Sequence, residues 1–164
     1  MTEADFPLLS LIITIPLLGA LLAGSIRNVD VAKQIAFFTA LITFVLTACA
    51  TLLFDADKSG FQLVERYDWI PLLKIEYLVG VDGISVLFLP MTGLLTIITM
   101  LASWSAISHS SRFHFSLLLA LESVSIGVFC ALDTVLFFLF WELTLPPFFF
   151  LIGLWGIGSQ RRSA

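Results

Sequence analysis

The sequence predicts an all-α integral membrane protein of about five transmembrane helices, and three observations carry that expectation. Of 164 residues, 59% are hydrophobic and 16 are phenylalanine, against only eight basic and twelve acidic side chains; soluble domains do not have this composition. The apolar residues gather into five runs, each long enough to cross ~30 Å of hydrocarbon. The connections between runs alternate in Lys and Arg content, as loops on opposite faces of a membrane do. No basic run is present that could hold nucleic acid. Cys49 and Cys130 fall inside apolar runs, with no disulfide or metal-ligand spacing.

The first run, Pro7 to Ser25, follows the acidic start Met1-Thr2-Glu3-Ala4-Asp5. That start lacks the basic region of a signal peptide, so the run reads as a retained helix. Gly19 and Gly24 suit close helix contact. Ile35 to Phe54 is the second run. Residues 1–54 thus hold two transmembrane helices. The connection at 55–83 alternates with period two: Phe61, Leu63, Tyr67 and Trp69, then Leu73, Ile75 and Tyr77, broken at Ile70-Pro71. It reads as a β-hairpin on the outer face, or as a membrane-hugging loop with Trp69 and Tyr77 in the interfacial belt. Residues 84–164 hold the last three helices: Ile84 to about Trp104, behind an Asp82 cap, then Phe115 to Leu132 and Val135 to Trp155. His109 and His114 flank the third–fourth connection and read as solvated loop side chains; two histidines are too few for a metal site.

Arg27, Lys33, Arg112, Arg161 and Arg162 fall on one side by alternation. Lys58, Arg66 and Lys74 fall on the other, diluted by Asp55, Asp57, Glu65, Asp68 and Glu76. The C-terminus is therefore expected in the cytoplasm and the N-terminus outside.

The fifth run carries an acid, Glu142, near its middle, and two prolines, Pro146 and Pro147, just beyond. A carboxylic acid in hydrocarbon costs at least a few kcal/mol and by default marks function. The prolines have no N–H for the carbonyls of Glu142 and Leu143, so a kink with free carbonyls is expected beside the acid. A second acid, Glu122, precedes the Asp133-Thr134 turn by about as many residues as Glu142 follows it. An antiparallel hairpin places both acids near mid-membrane, ~14–16 Å from the turn. Desolvation and like charge make such acids candidates for taking up and releasing protons. Each also has a plainer reading. Glu142 can serve as a helix–helix hydrogen-bonding group; Glu122 can reach interfacial water or pair with Ser123 or Ser125. No Lys, Arg or His falls within the apolar runs, so any counter-charge must come from another helix.

Gly80-Val81-Asp82-Gly83-Ile84-Ser85, Leu101-Ala102-Ser103-Trp104, Leu121-Glu122, Leu132-Asp133, Phe140-Trp141-Glu142 with Pro147, and Leu151-Ile152-Gly153-Leu154-Trp155-Gly156 resemble the M-type antiporter-like subunits of proton-translocating NADH–quinone oxidoreductase, complex I. The resemblance covers most of the chain beyond Asp55. The Gly-Val-Asp-Gly-Ile-Ser motif is shared with sister subunits and cation/proton antiporters; the Trp-Glu segment and the Leu-Ile-Gly-Leu-Trp-Gly end point more specifically to M. It implies that Glu142 is the family's fifth-helix glutamate, required for pumping, and Glu122 its fourth-helix glutamate; Pro146 is an extra proline. Family members have about fourteen helices, so the chain reads as the N-terminal third: a truncated fragment or one piece of a split subunit, unable to pump alone. The sequence carries no cofactor-binding motif and no ligand set for flavin or iron–sulfur clusters, so no cofactor is expected in this chain. Flavin and iron–sulfur clusters would sit in partner subunits. The implied partners are other membrane-arm subunits, the remaining helices of the same subunit and the lipid bilayer, in a bacterial plasma membrane or an organellar inner membrane. The same module serves multisubunit cation/proton antiporters and membrane-bound hydrogenases, which remain an alternative, as does a non-transporting membrane scaffold.

Overall fold

The structure, a computed structural model, describes residues 6–73, 75–107 and 109–156. The acidic start, Lys74, Arg161 and Arg162 of the charge-alternation argument lie outside the described residues. Among the described residues five helices are of membrane-crossing length and apolarity: α1 (Leu8–Ser25), α2 (Val29–Leu53), α3 (Ser85–Ala106), α4 (Ser111–Cys130) and α5 (Thr134–Trp155). Between α2 and α3 the strands β1 (Gln62–Ile70) and β2 (Ile75–Val81) pair antiparallel around a single 3-10 turn, Pro71–Leu73.

Side-chain caps set the starts of α2 and α3. Asn28 Oδ1 accepts the N–H groups of Asp30 (3.0 Å) and Val31 (3.3 Å), and Asp30 suits the positive end of the helix dipole. So α2 begins six residues before the expected Ile35, and Lys33 lies within the helix, not in a connection. Its Nζ donates to the Trp104 carbonyl at 2.7 Å, in the last turn of α3, and sits over the Trp104 and Phe115 rings. The apolar stem packs while the charge meets helix-end carbonyls. Arg112, also helical, donates to Ile26 O at 2.9 Å at the end of α1. Asp82 caps α3 as expected: its Oδ1 accepts from Ser85 N at 2.7 Å and Ile84 N at 3.1 Å, and Ser85 Oγ accepts from Asp82 N. The Ser85 backbone bond in particular holds the Asp82 carboxyl below its ordinary range.

The hairpin is tied to the bundle by burial that its alternation does not predict. Tyr67 and Trp69 are exposed, while Val64, Glu65, Val79 and Val81 are buried. Glu65 is not a solvated loop acid. Its carboxylate accepts Leu9 N (2.7 Å), Ser10 N (3.2 Å) and the Ser10 hydroxyl, satisfying orphan N–H groups where α1 starts at Pro7 without a side-chain cap of its own. With its proton on Glu65, the Ser10 hydroxyl takes the Tyr77 O–H at 2.9 Å; burial raises the Tyr77 phenol above its ordinary pKa and keeps that proton in place.

Helix α4 is the centre of the bundle. It packs against α1, α2, α3 and α5, and 61% of its membrane window is buried, against 17% for α5. On the side facing α1, Ser116 and Ser123 donate to Ala20 O (2.5 Å) and Ile13 O (2.6 Å). The α1–α2 seam is close because Gly19 has no Cβ; one would meet the Thr39 side chain at 2.5 Å. In α3, Pro90 has no N–H for the carbonyl of Val86, and Thr51 of α2 donates to that carbonyl at 3.2 Å.

Candidate functional site

The site is built on the α4–α5 hairpin. Asp133 closes it as the N-cap of α5, accepting Val135 N (2.9 Å) and Leu136 N (3.0 Å). The connection is anchored to the hairpin strands by Leu132 N donating to Leu78 O at 2.9 Å. Below the turn Gly127 lets the Phe140 ring lie against the α4 backbone, where a Cβ would meet it at 2.5 Å. Farther down Phe113 packs edge-on against Phe150. These two contacts bracket the acids, so Glu122 and Glu142 sit within about one helical turn of the same depth, as the spacing predicts.

Their surroundings differ. Glu122 is 1% exposed and neither carboxylate oxygen has a hydrogen-bond partner. Ser123, one expected partner, is committed to α1 instead. Glu122 lines a groove of about 1020 Å³ between α3, α4 and α5, largely apolar apart from threonines of α3, Ser125 and Thr144. Glu142 is exposed, outside this groove, and makes no hydrogen bond or ion pair among the described residues. Its neighbours Trp141, Thr144 and Leu145 turn into the groove; Glu142 points from α5 toward surface that these five helices leave uncovered. The two acids are thus brought to one depth but not into one pocket.

Helix α5 continues through both prolines, with Pro147 buried and Pro146 exposed. Their missing N–H groups deprive the Glu142 and Leu143 carbonyls of their helical donors beside the acid.

One residue of the groove is a correction to the sequence reading. His114 is not a loop side chain. It lies in the first turn of α4, 7% exposed, with both ring nitrogens unpartnered, its ring 4.8 Å from Trp155 in a T-shaped contact. It opens into the same groove as Glu122. The signal was present in the spacing: His114, Leu118, Leu121, Glu122 and Ser125 recur at helical intervals of one face. His109 precedes the helix, where its carbonyl accepts Trp155 Nε1 at 3.0 Å. Among the described residues no cluster of His, Cys, Asp and Glu could hold a metal ion.

No family model matches the chain. Whole-sequence similarity is extensive. F(420)H(2) dehydrogenase subunit M of Methanosarcina mazei is 37% identical over 158 residues, 96% of this chain and 32% of that one. NAD(P)H-quinone oxidoreductase chain 4 of Prochlorococcus marinus is 37% identical over 166 residues, 99% of this chain and 30% of that one. A chain 4 protein of Synechococcus elongatus is 40% identical over 167 residues, 100% of this chain and 31% of that one. The chain spans about a third of the length of these curated relatives. Its fold matches a chain in the structure of the membrane-bound sulfane sulfur reductase, an archaeal respiratory membrane complex, with a TM-score of 0.73 at 22% identity, over 95% of this chain and 24% of that one. Over nearly its whole length, therefore, this chain is similar to about a third of proteins named NAD(P)H-quinone oxidoreductase chain 4 and F(420)H(2) dehydrogenase subunit M.

Proposed function

We propose that the chain forms part of a membrane-arm subunit of a proton-translocating quinone oxidoreductase, in which Glu122 and Glu142 take up and release protons. One observation carries this reading: Glu122 is buried near the middle of α4 with both oxygens unpartnered, level with a second acid. A stable packing role would give a buried carboxyl hydrogen bonds. The similarity to oxidoreductase subunits supports the setting.

The chemistry follows from electrostatics. A mid-membrane carboxyl holds its proton while nothing offsets its charge and gives it up when a cation approaches. For both acids the cation would come from helices that cover the open faces of α3, α4 and α5, either in the rest of a subunit of the relatives' length or in a neighbouring membrane-arm subunit. Redox energy released elsewhere in the complex would move that cation, and each movement would drive one protonation change. The carbonyls of Glu142 and Leu143 can hold the water that Glu142 needs for exchange. Flavin and iron–sulfur clusters would belong to partner subunits. On this reading residues 84–156 open the antiporter-like unit, residues 1–54 are peripheral, and the β-hairpin lies on the outer face.

The test is Glu142→Gln in the complete complex, read as vesicle acidification driven by the electron donor, with assembly measured separately. Glutamine keeps shape and hydrogen bonding but cannot ionise. Coupled proton transfer should fall at least about tenfold, since a buried cation left unpaired resists the next charge change. Glu142→Asp should be milder. A Glu142→Gln complex that assembles and pumps like wild type would make the glutamate structural.

A further inference from the structure

Besides Glu122, one buried side chain among the described residues has every polar atom unpartnered: His114. Both lie on α4 and line the same groove. We propose that His114 is the proton relay between the aqueous face at the start of α4 and Glu122, acting through water held in the α3–α4–α5 groove. The inference rests on the reading of Glu122 as a proton-transfer group.

His114 sits three residues into α4, about 5 Å from its start, and Glu122 lies eight residues farther on, about 12 Å deeper. Three or four waters at hydrogen-bond spacing cover that gap, and a groove of about 1020 Å³ has room for them. The wall supplies what such waters bind. Thr92, Thr96, Thr99 and Thr144 each donate a hydroxyl to a carbonyl of their own helix, which leaves their oxygens to accept from water in the groove. Packing alone does not account for an imidazole here. The contacts of His114 with Phe115 and Trp155 are ones a phenyl ring would make without stranding two nitrogens.

The transfer balances without any co-reactant. One ring nitrogen accepts a proton from the aqueous side, and the other gives its proton to the water chain that ends on the Glu122 carboxylate. The ring returns to neutral as the opposite tautomer, and rotation about its side-chain bonds resets it. An imidazole can accept a proton at one nitrogen and release one from the other. The charged groups nearby are engaged elsewhere: Arg112 of α4 with the end of α1, and Lys33 of α2 with Trp104 and Phe115. Neither α3 nor α5 contributes a titratable side chain to the groove among the described residues, since Glu142 lies outside it. His109 contributes only its carbonyl, to Trp155.

The experiment measures donor-driven proton pumping and electron transfer against pH in membrane vesicles holding the assembled complex, with wild type, His114→Gln and Glu122→Gln compared. His114→Gln should slow pumping about fivefold or more and remove one titration from the pH profile. An assembled His114→Gln complex with wild-type rate and profile overturns the relay, and so does a slowed complex whose profile keeps its shape. Glu122→Gln separates the levels: if it pumps normally, the parent reading falls; if it is impaired while His114→Gln is not, only the relay falls. Should His114→Gln fail to assemble, Leu118→Phe decides, because it narrows the groove between the two residues and leaves every titratable group in place. Pumping reduced about threefold supports the relay, and wild-type pumping overturns it.

Discussion

Helix α4 has two faces, and they treat polar atoms in opposite ways. Arg112, Ser116 and Ser123 recur at helical spacing along the face against α1, and each hydrogen-bonds an α1 backbone carbonyl. Roughly a quarter to a half turn around the helix, Glu122 and His114 lie along the face of the groove and bond nothing. Both faces are buried in the same apolar medium, where an unmet polar atom costs about 1–3 kcal/mol. On the first face the polar groups are adhesive. On the second their cost is left standing, as expected where the group must change protonation state during work.

Substitutions should separate these faces, and the largest effect should come from the seam that positions the groove. Gly127→Val drives a side chain into the Phe140 ring and pushes α5 off α4, costing about 3 kcal/mol; thermal unfolding of the purified subunit in detergent should report it. Next, Glu65→Ala strips the acceptor from Leu9 N, Ser10 N and the Ser10 hydroxyl. The start of α1 should then fray and the hairpin loosen, at a cost of about 2 kcal/mol, seen as faster amide hydrogen exchange at residues 8–11.

The smallest effect is a pH effect outside the helices. The backbone N–H of Ser85 holds the folded Asp82 carboxyl below the ordinary aspartate range. A lowered folded value means that the cap's contribution is fully present above the unfolded value and is lost as pH falls through the folded one. Acidification below about pH 4 should loosen the start of α3. Asp82→Asn should remove that acid-side loss, and a melting-temperature series over pH would detect it. An unchanged series would mean that the cap adds nothing measurable.

The five helices were legible because hydropathy over bilayer length is a long-range signal that no single residue can spoil. Their starts were less so: Asn28 and Lys33 show that polar residues can belong to a helix when a cap and a neighbouring helix end receive them. The matching depth of Glu122 and Glu142 followed from counting residues about Asp133. What counting could not supply was azimuth relative to neighbours, so the separation of the acids, one in the groove and one outside it, needed the packing of α3 and α5. His114 was missed because the apolar run was started at Phe115, a boundary drawn by hydropathy one residue too late to include it. Glu65 was read as one loop charge among several, since its partners in α1 lie more than fifty residues away.

The most direct test of the two-face account compares Glu122→Gln with Ser123→Ala, adjacent residues on different faces of α4, in the assembled complex. Protons pumped per electron transferred is the measurement, with melting temperature taken on the same preparations. The account predicts that Ser123→Ala lowers stability by about 1 kcal/mol and leaves the pumping ratio unchanged. Glu122→Gln should leave stability equal or higher and cut the ratio severalfold. A Glu122→Gln complex that pumps at the wild-type ratio, or a Ser123→Ala complex that loses pumping while holding its stability, would contradict it.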